Sequence, residues 1–224
     1  MTTTITTITT NPGARHDLTN VPALEALRRL REGNERFVSD VRSVEAIASQ
    51  SRRVSLVPAQ SPFAVVLSCS DSRVPSEIVF DQGLGSLFVV RVAGNVVAPS
   101  LVGSVEFAVD TFGTQLVVVM GHTRCGAIAA TLAALRGGSA HRSENIRDIV
   151  DRIRPAVAPL LDGSSDEATL AARATRANVV AAANHLRHSS RVLEQRVADG
   201  SILVIGAEYS LETGKVDFFD GVPS

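Results

Sequence analysis

Apolar residues take up a regular period only after residue 20. Leu24, Leu27, Leu30 and, past Gly33, Phe37 recur at helical spacing with Arg and Glu between them, which predicts an amphipathic helix over 22–38. The Thr-rich stretch 1–20 shows neither a helical nor a strand period and reads as a flexible N-terminal tail. Residues 40–60 are weakly periodic and read as a short helix plus loop. Three short β-branched runs follow: FAVVLS at 63–68, LFVVRV at 87–92 and QLVVVM at 115–120. Each is nearly continuous in apolar residues, as expected of strands buried on both faces. Between the second and third runs, 101–112 suits a helix ended by Gly113. Another helix is expected from the GHTRCGA segment to Arg136, before Gly137 and Gly138. Helical blocks over 144–161 and 165–198 come next, and Ser164 with Glu167 resembles a capping box for the second. A last strand at 202–207 leads to 209–219, whose alternation and Glu-Thr-Gly turn at 212–214 predict a closing hairpin. Strands alternating with helices in this way predict an α/β fold with a mainly parallel central sheet flanked by helices.

Length and composition narrow the picture. With 224 residues, 45% hydrophobic and 20% charged, the chain suits one domain over 21–224 with the tail as an appendage. Its 22 basic and 23 acidic side chains leave a net charge of −1, which lacks the electropositive footprint of nucleic-acid binding. No run approaches the roughly 18–20 apolar residues of a membrane span, and the first residues lack the basic and apolar regions of a signal peptide. The expectation is a cytoplasmic protein with no nucleic-acid or membrane partner. Two cysteines make no disulfide framework, and in a reducing compartment they serve metal binding, catalysis or plain burial.

Where the cysteines fall changes their meaning. Cys69 directly follows the first buried run, and His122 and Cys125 follow the third, so all three stand at the carboxyl ends of strands, where parallel sheets bind ligands. Taken alone, each cysteine reads as a small buried hydrophobe and the histidine as a hydrogen-bonded core or turn residue. If the two strands are neighbours, the three side chains can converge on a Cys2His donor set suited to zinc, with a fourth position left open. Cys69, Asp71 and Arg73 project to the same side of an extended segment, so the Arg fork can hold the carboxylate oriented and ionised beside a metal. The plainer reading is a surface turn with a weak ion pair.

The blocks CSDSRV at 69–74, DQGLGSLFVVRVAGN at 81–95 and GHTRCGA at 121–127 resemble the signature blocks of the β-class carbonic anhydrases, in order and separation. The likeness extends from Leu27 to Phe219. It implies zinc held by Cys69, His122 and Cys125, and reversible hydration of carbon dioxide to bicarbonate and a proton. It also implies that Asp71, held by Arg73, accepts a hydrogen bond from zinc-bound hydroxide, or itself closes the fourth position in some members. A substrate pocket is implied at Gln60, Phe88, Ala93, Phe107 and Gly126, and a homo-oligomer built as a dimer or tetramer. Phe107 stands where many relatives carry a Tyr, Ala93 replaces a bulkier residue, and Val66 stands where a bicarbonate-regulated branch has a Trp.

Two thiolates offset more of the zinc charge than neutral imidazoles do, so activity is expected to rise through mildly alkaline pH. The alternatives are hydrolysis of carbonyl sulfide or carbon disulfide at the same site, or a noncatalytic zinc or redox-sensing protein. His16, His141, His185 and His188 read as surface residues rather than proton shuttles, and Arg91, Asp81 and Glu106 as structural or interface pairs. Gly83-x-Gly85 reads as a turn and not as part of a dinucleotide fingerprint.

Overall fold

A computed structural model describes residues 21–41, 49–138, 143–161 and 166–223. The expected tail over 1–20, the Ser164 cap, His16 and His141 fall outside the described residues. Five strands form one sheet in the order β2-β1-β3-β4-β5. They are β1 (Ala64–Ser68), β2 (Leu87–Arg91), β3 (Leu116–His122), β4 (Leu203–Tyr209) and β5 (Val216–Asp220). All neighbouring pairs are parallel except β4 with β5, the expected hairpin. Every residue of β1 and β3 is buried, which is why these runs carry no polar face.

Helices cover both faces. On one, α1 (Ala23–Val38) lays Ala26, Leu27 and Leu30 against Val66, Val118, Met120 and Ile205. Leu24 belongs to the same periodic set but is 60% exposed. Gly33 lets the helix touch the chain below it, since a Cβ there would sit 1.8 Å from Phe80 O. The next residue, buried Asn34, donates to Val79 O (3.1 Å) and Gly214 O (2.8 Å) and accepts from Val216 N, tying the helix to the hairpin. The short helices α2 (Gln50–Ser55) and α3 (Ser76–Val79) lie before and after β1. On the other face, α4 (Pro99–Phe112), α7 (Glu167–His188) and α8 (Arg191–Ala198) pack Val105, Val179, Leu186 and Leu193 against Val65, Leu67, Val117 and Val119. At the carboxyl end of the strands, α5 (Gly126–Leu135) and α6 (Glu144–Val157) form a third cluster with α7. That cluster includes both cysteines. No helix among the described residues is long and apolar enough to cross a membrane.

Some element boundaries depart from expectation. The block at 165–198 is two helices, because Ser190 accepts from Leu193 N and starts a new one. Its first cap is Asp166, whose carboxylate accepts from Thr169 N at 3.0 Å. The strands β3 and β4 run two residues past the apolar stretches, through Gly121-His122 and Glu208-Tyr209. Gly121 pairs with Glu208 in the ladder, and a glycine stands there because α7 crosses so closely that a Cβ would meet Val179 Cγ2 at 2.6 Å.

Candidate metal centre

Adjacent strands bring the three candidate ligands together. Ser68 pairs with Met120 across β1 and β3, so Cys69, one residue past β1, faces the end of β3. His122 is the last residue of β3, and Cys125 caps α5 three residues on. The two Sγ atoms and an imidazole nitrogen lie within 4.8 Å of one another. All three side chains are buried, with Cys69 and Cys125 4% exposed and His122 not at all.

The imidazole tautomer follows from one contact. His122 Nδ1 lies 2.9 Å from Thr123 O, and a carbonyl only accepts, so Nδ1 carries the proton and Nε2 keeps its lone pair. Nε2 is buried without a hydrogen-bond partner. An unsatisfied buried acceptor costs about 1–3 kcal/mol, which a cation at that point removes. The sulfurs make the same demand. A hydrogen bond from the Cys125 thiol, with further ones from the Asp71 and Gly94 amides, lowers the Cys69 thiol against the opposing effect of burial. Sharing that proton with Cys69, together with burial, pushes the Cys125 thiol up. The two sulfurs share one proton and cannot both ionise without a cation between them. Two sulfurs and one nitrogen are the donor set zinc accepts, so the residues fit it.

Beside the cluster, Arg73 grips Asp71 through both arms of its guanidinium. Nε donates to Oδ1 (2.9 Å), Nη2 to Oδ2 (2.7 Å), and the Arg73 amide to Oδ1 (3.0 Å). The Arg73 hydrogen bond holds this carboxyl well below the usual carboxylate range. Asp71 Oδ2 lies 4.0 Å from His122 Nε2, with both carboxylate oxygens engaged by Arg73. Arg91 does more than form a structural pair. Its Nε donates to Cys69 O (3.0 Å) and its Nη2 to Asp71 O (2.6 Å), clamping the peptide that carries both residues. Its acceptors are backbone carbonyls, which leave no mark in a sequence. Asp81 does pair, with Arg36 Nε at 2.5 Å.

The second ligand segment is held by the hairpin. Thr123 N donates to Tyr209 O at 3.0 Å, and Glu212 accepts from Thr123 Oγ1 (2.7 Å) and Arg124 Nε (2.5 Å). These two hydrogen bonds lower the Glu212 carboxyl to about 2. Arg124 adopts φ +56°, a left-handed conformation uncommon for a side-chain-bearing residue, within the turn that aims Cys125.

The five expected pocket residues divide. Ala93 opens the turn Ala93–Asn95 against Cys69, and Gly126 is the first residue of α5, with open space where a Cβ would stand. Gln60 is exposed in the loop ahead of β1, at the strand end opposite Cys69. Phe88 and Phe107 pack with Phe112 in tilted and edge-on pairs along the edge strand and α4, at centroid separations of 5.7–6.2 Å. Phe107 is 54% exposed. One chain thus brings Ala93 and Gly126 to the cysteines and leaves Gln60, Phe88 and Phe107 apart. His185 and His188 lie in the last turn of α7, whose first half is the part that packs near the cysteines.

Known proteins match this chain over most of its length. A family model described as carbonic anhydrase matches residues 64–216. The chain is 38% identical over 203 residues to carbonic anhydrase 2 of Mycobacterium tuberculosis, covering 91% of this chain and 96% of that protein. It is 39% identical over 198 residues to a carbonic anhydrase of Mycolicibacterium smegmatis, covering 88% and 94%. Among solved structures, the β-carbonic anhydrase CafA of Aspergillus fumigatus superposes with TM-score 0.67 at 23% identity, over 89% of this chain and 91% of that one. A tetrameric β-carbonic anhydrase of Sordaria macrospora gives 0.66 at 22%, over 76% and 87%. At these identities the structural likeness bears on the fold.

Proposed function

The chain belongs to the β-class carbonic anhydrases, and on that premise we propose that it hydrates carbon dioxide reversibly at a zinc ion held by Cys69, His122 and Cys125. The observation that carries the zinc assignment is the lone pair of His122 Nε2, buried without a partner beside two thiols that cannot both ionise alone. Zinc bound there supplies Lewis acidity that makes a water-derived nucleophile available, tempered by two thiolates so that rates rise through mildly alkaline pH.

The chain's own residues do the rest. Asp71, ionised throughout the working range, can only accept hydrogen bonds, so an O–H approaching its Oδ2 is turned to present its lone pair elsewhere. Arg73 keeps those oxygens from rotating and from taking up a proton. Arg91 holds the carbonyls of Cys69 and Asp71 together, so the ligand and the acceptor keep one spacing. Gly126, with no side chain, leaves room for a small linear substrate beside Cys125.

The relatives described above bear the name carbonic anhydrase, which favours carbon dioxide over carbonyl sulfide or carbon disulfide and over a noncatalytic zinc protein. A homo-oligomer is the assembly we infer. The Sordaria relative is tetrameric, and this chain exposes apolar Leu24 and Phe107 that a second copy would cover.

Stopped-flow hydration on metal-quantified protein tests the reading. Activity should scale with zinc content, vanish on chelation and return with added zinc. Zinc-loaded but inert protein, or undiminished activity in zinc-free protein, would overturn it.

A further inference from the structure

The turn that follows β2 points a backbone amide at a metal ligand and is itself held from the far side. Gly94 N donates to Cys69 Sγ at 3.3 Å. To do so the backbone turns left-handed at two successive residues, Gly94 (φ +69°) and Asn95 (φ +44°). The first must be glycine on packing grounds as well, since a Cβ would meet Ile153 Cδ1 at 2.8 Å and Ala127 Cβ at 2.9 Å. The second is a strained conformation for a residue with a side chain. Such a turn persists only where its surroundings hold it.

The holder is Asn178 in α7, 84 residues further along. Its Nδ2 donates to Gly94 O at 2.8 Å, and the side chain is 4% exposed. Gly94 is therefore gripped at its carbonyl while its amide serves the sulfur. We propose that Asn178 is a positioning residue for the metal centre: through Gly94 it fixes the N–H···S hydrogen bond to Cys69, which withdraws electron density from that thiolate. A hydrogen bond to a ligating sulfur lowers its donation to the metal, and supporting contacts of this kind set metal affinity as well as ligand orientation. This inference rests on the proposed zinc assignment.

Its test uses the metal's spectrum. Cobalt(II) loaded in place of zinc gives a sulfur-to-metal charge-transfer band that reports thiolate donation. In Asn178→Leu, which keeps the branched shape and loses the donor, that band should move to lower energy as thiolate donation rises, and zinc affinity measured against a chelator should fall about ten- to a hundredfold because Cys69 is no longer held in its ligating orientation. Asn178→Ser, with a shorter donor, should show a smaller change in the same direction. Leu186→Val trims the same helix near its other end and should lower stability without moving the band. An unmoved band and unchanged affinity in folded Asn178→Leu overturn the inference, as does an equal shift in Leu186→Val.

Should neither Asn178 variant fold, wild-type protein loaded with an NMR-active cadmium isotope decides the matter. The Gly94 amide proton should show scalar coupling to cadmium across the sulfur, and coupling confined to the cysteine side-chain protons overturns the role. A chain that takes up none of the three metals overturns the zinc assignment instead, so the two failures are distinct.

Discussion

The interior of the sheet and the rim at its carboxyl end are continuous in the chain and built on different terms. Within β1 and β3 every side chain is buried, and what is required of it is apolar volume. One residue further, at 69–73 and 123–125, nearly every group has a directed partner: Arg91 on two carbonyls, Arg73 on Asp71, Glu212 on Thr123 and Arg124, and Gly94 on a sulfur. The strands settle where the ligands stand, and the rim settles which way they point. Substitutions in the two regions should therefore separate stability from chemistry.

The largest effect belongs to a ligand. Cys125→Ser is expected to purify with little zinc and to lose hydration activity by about a thousandfold or more, read by metal analysis and stopped flow. Retained zinc with near-normal activity would detach the rim from the reaction. Asp71→Asn should follow, keeping its zinc while activity falls about a hundredfold, because the amide can donate where the carboxylate only accepted. Loss of metal in that variant would make Asp71 a ligand instead.

Leu116→Ala, at the opposite end of β3 and fully buried, should do the reverse. Denaturant unfolding should show a loss of about 2–5 kcal/mol with activity per folded molecule unchanged. A rate loss exceeding the stability loss would show that the strand interior also tunes the site.

The smallest effect is electrostatic. Glu212 sits at about 2 in the folded chain against an ordinary 4.5, so the stability it contributes is present above pH 4.5 and lost as pH falls towards 2. Glu212→Gln should melt slightly below the parent at pH 6, with the gap closing on acidification. A gap constant down to pH 2 would mean that the carboxylate charge contributes nothing.

Legibility in the sequence divides along the same line. The buried runs announced the strands because a parallel sheet covered on both faces admits little but apolar residues. The spacing of Cys69, His122 and Cys125 from the ends of those runs placed the cluster. The true ends of β3 and β4 were hidden by Gly121 and Glu208, which break the apolar pattern for reasons outside their own segment: a close helix crossing, and an ion pair with Arg176 at 3.2 Å. The break between α7 and α8 had a local signal in Ser190 that the long polar-apolar run obscured. Arg91 and Asn178 were illegible, since both act on backbone carbonyls of distant segments. Gln60, Phe88 and Phe107 were assigned together by family likeness, and one chain leaves them away from the cysteines.

Zinc K-edge X-ray absorption on the purified wild-type protein reads the ligand set of the metal itself. Two sulfur neighbours at about 2.3 Å are expected, with nitrogen or oxygen neighbours at about 2.0–2.1 Å completing the shell. Zinc surrounded by nitrogen and oxygen alone, or no bound zinc, would contradict the zinc assignment.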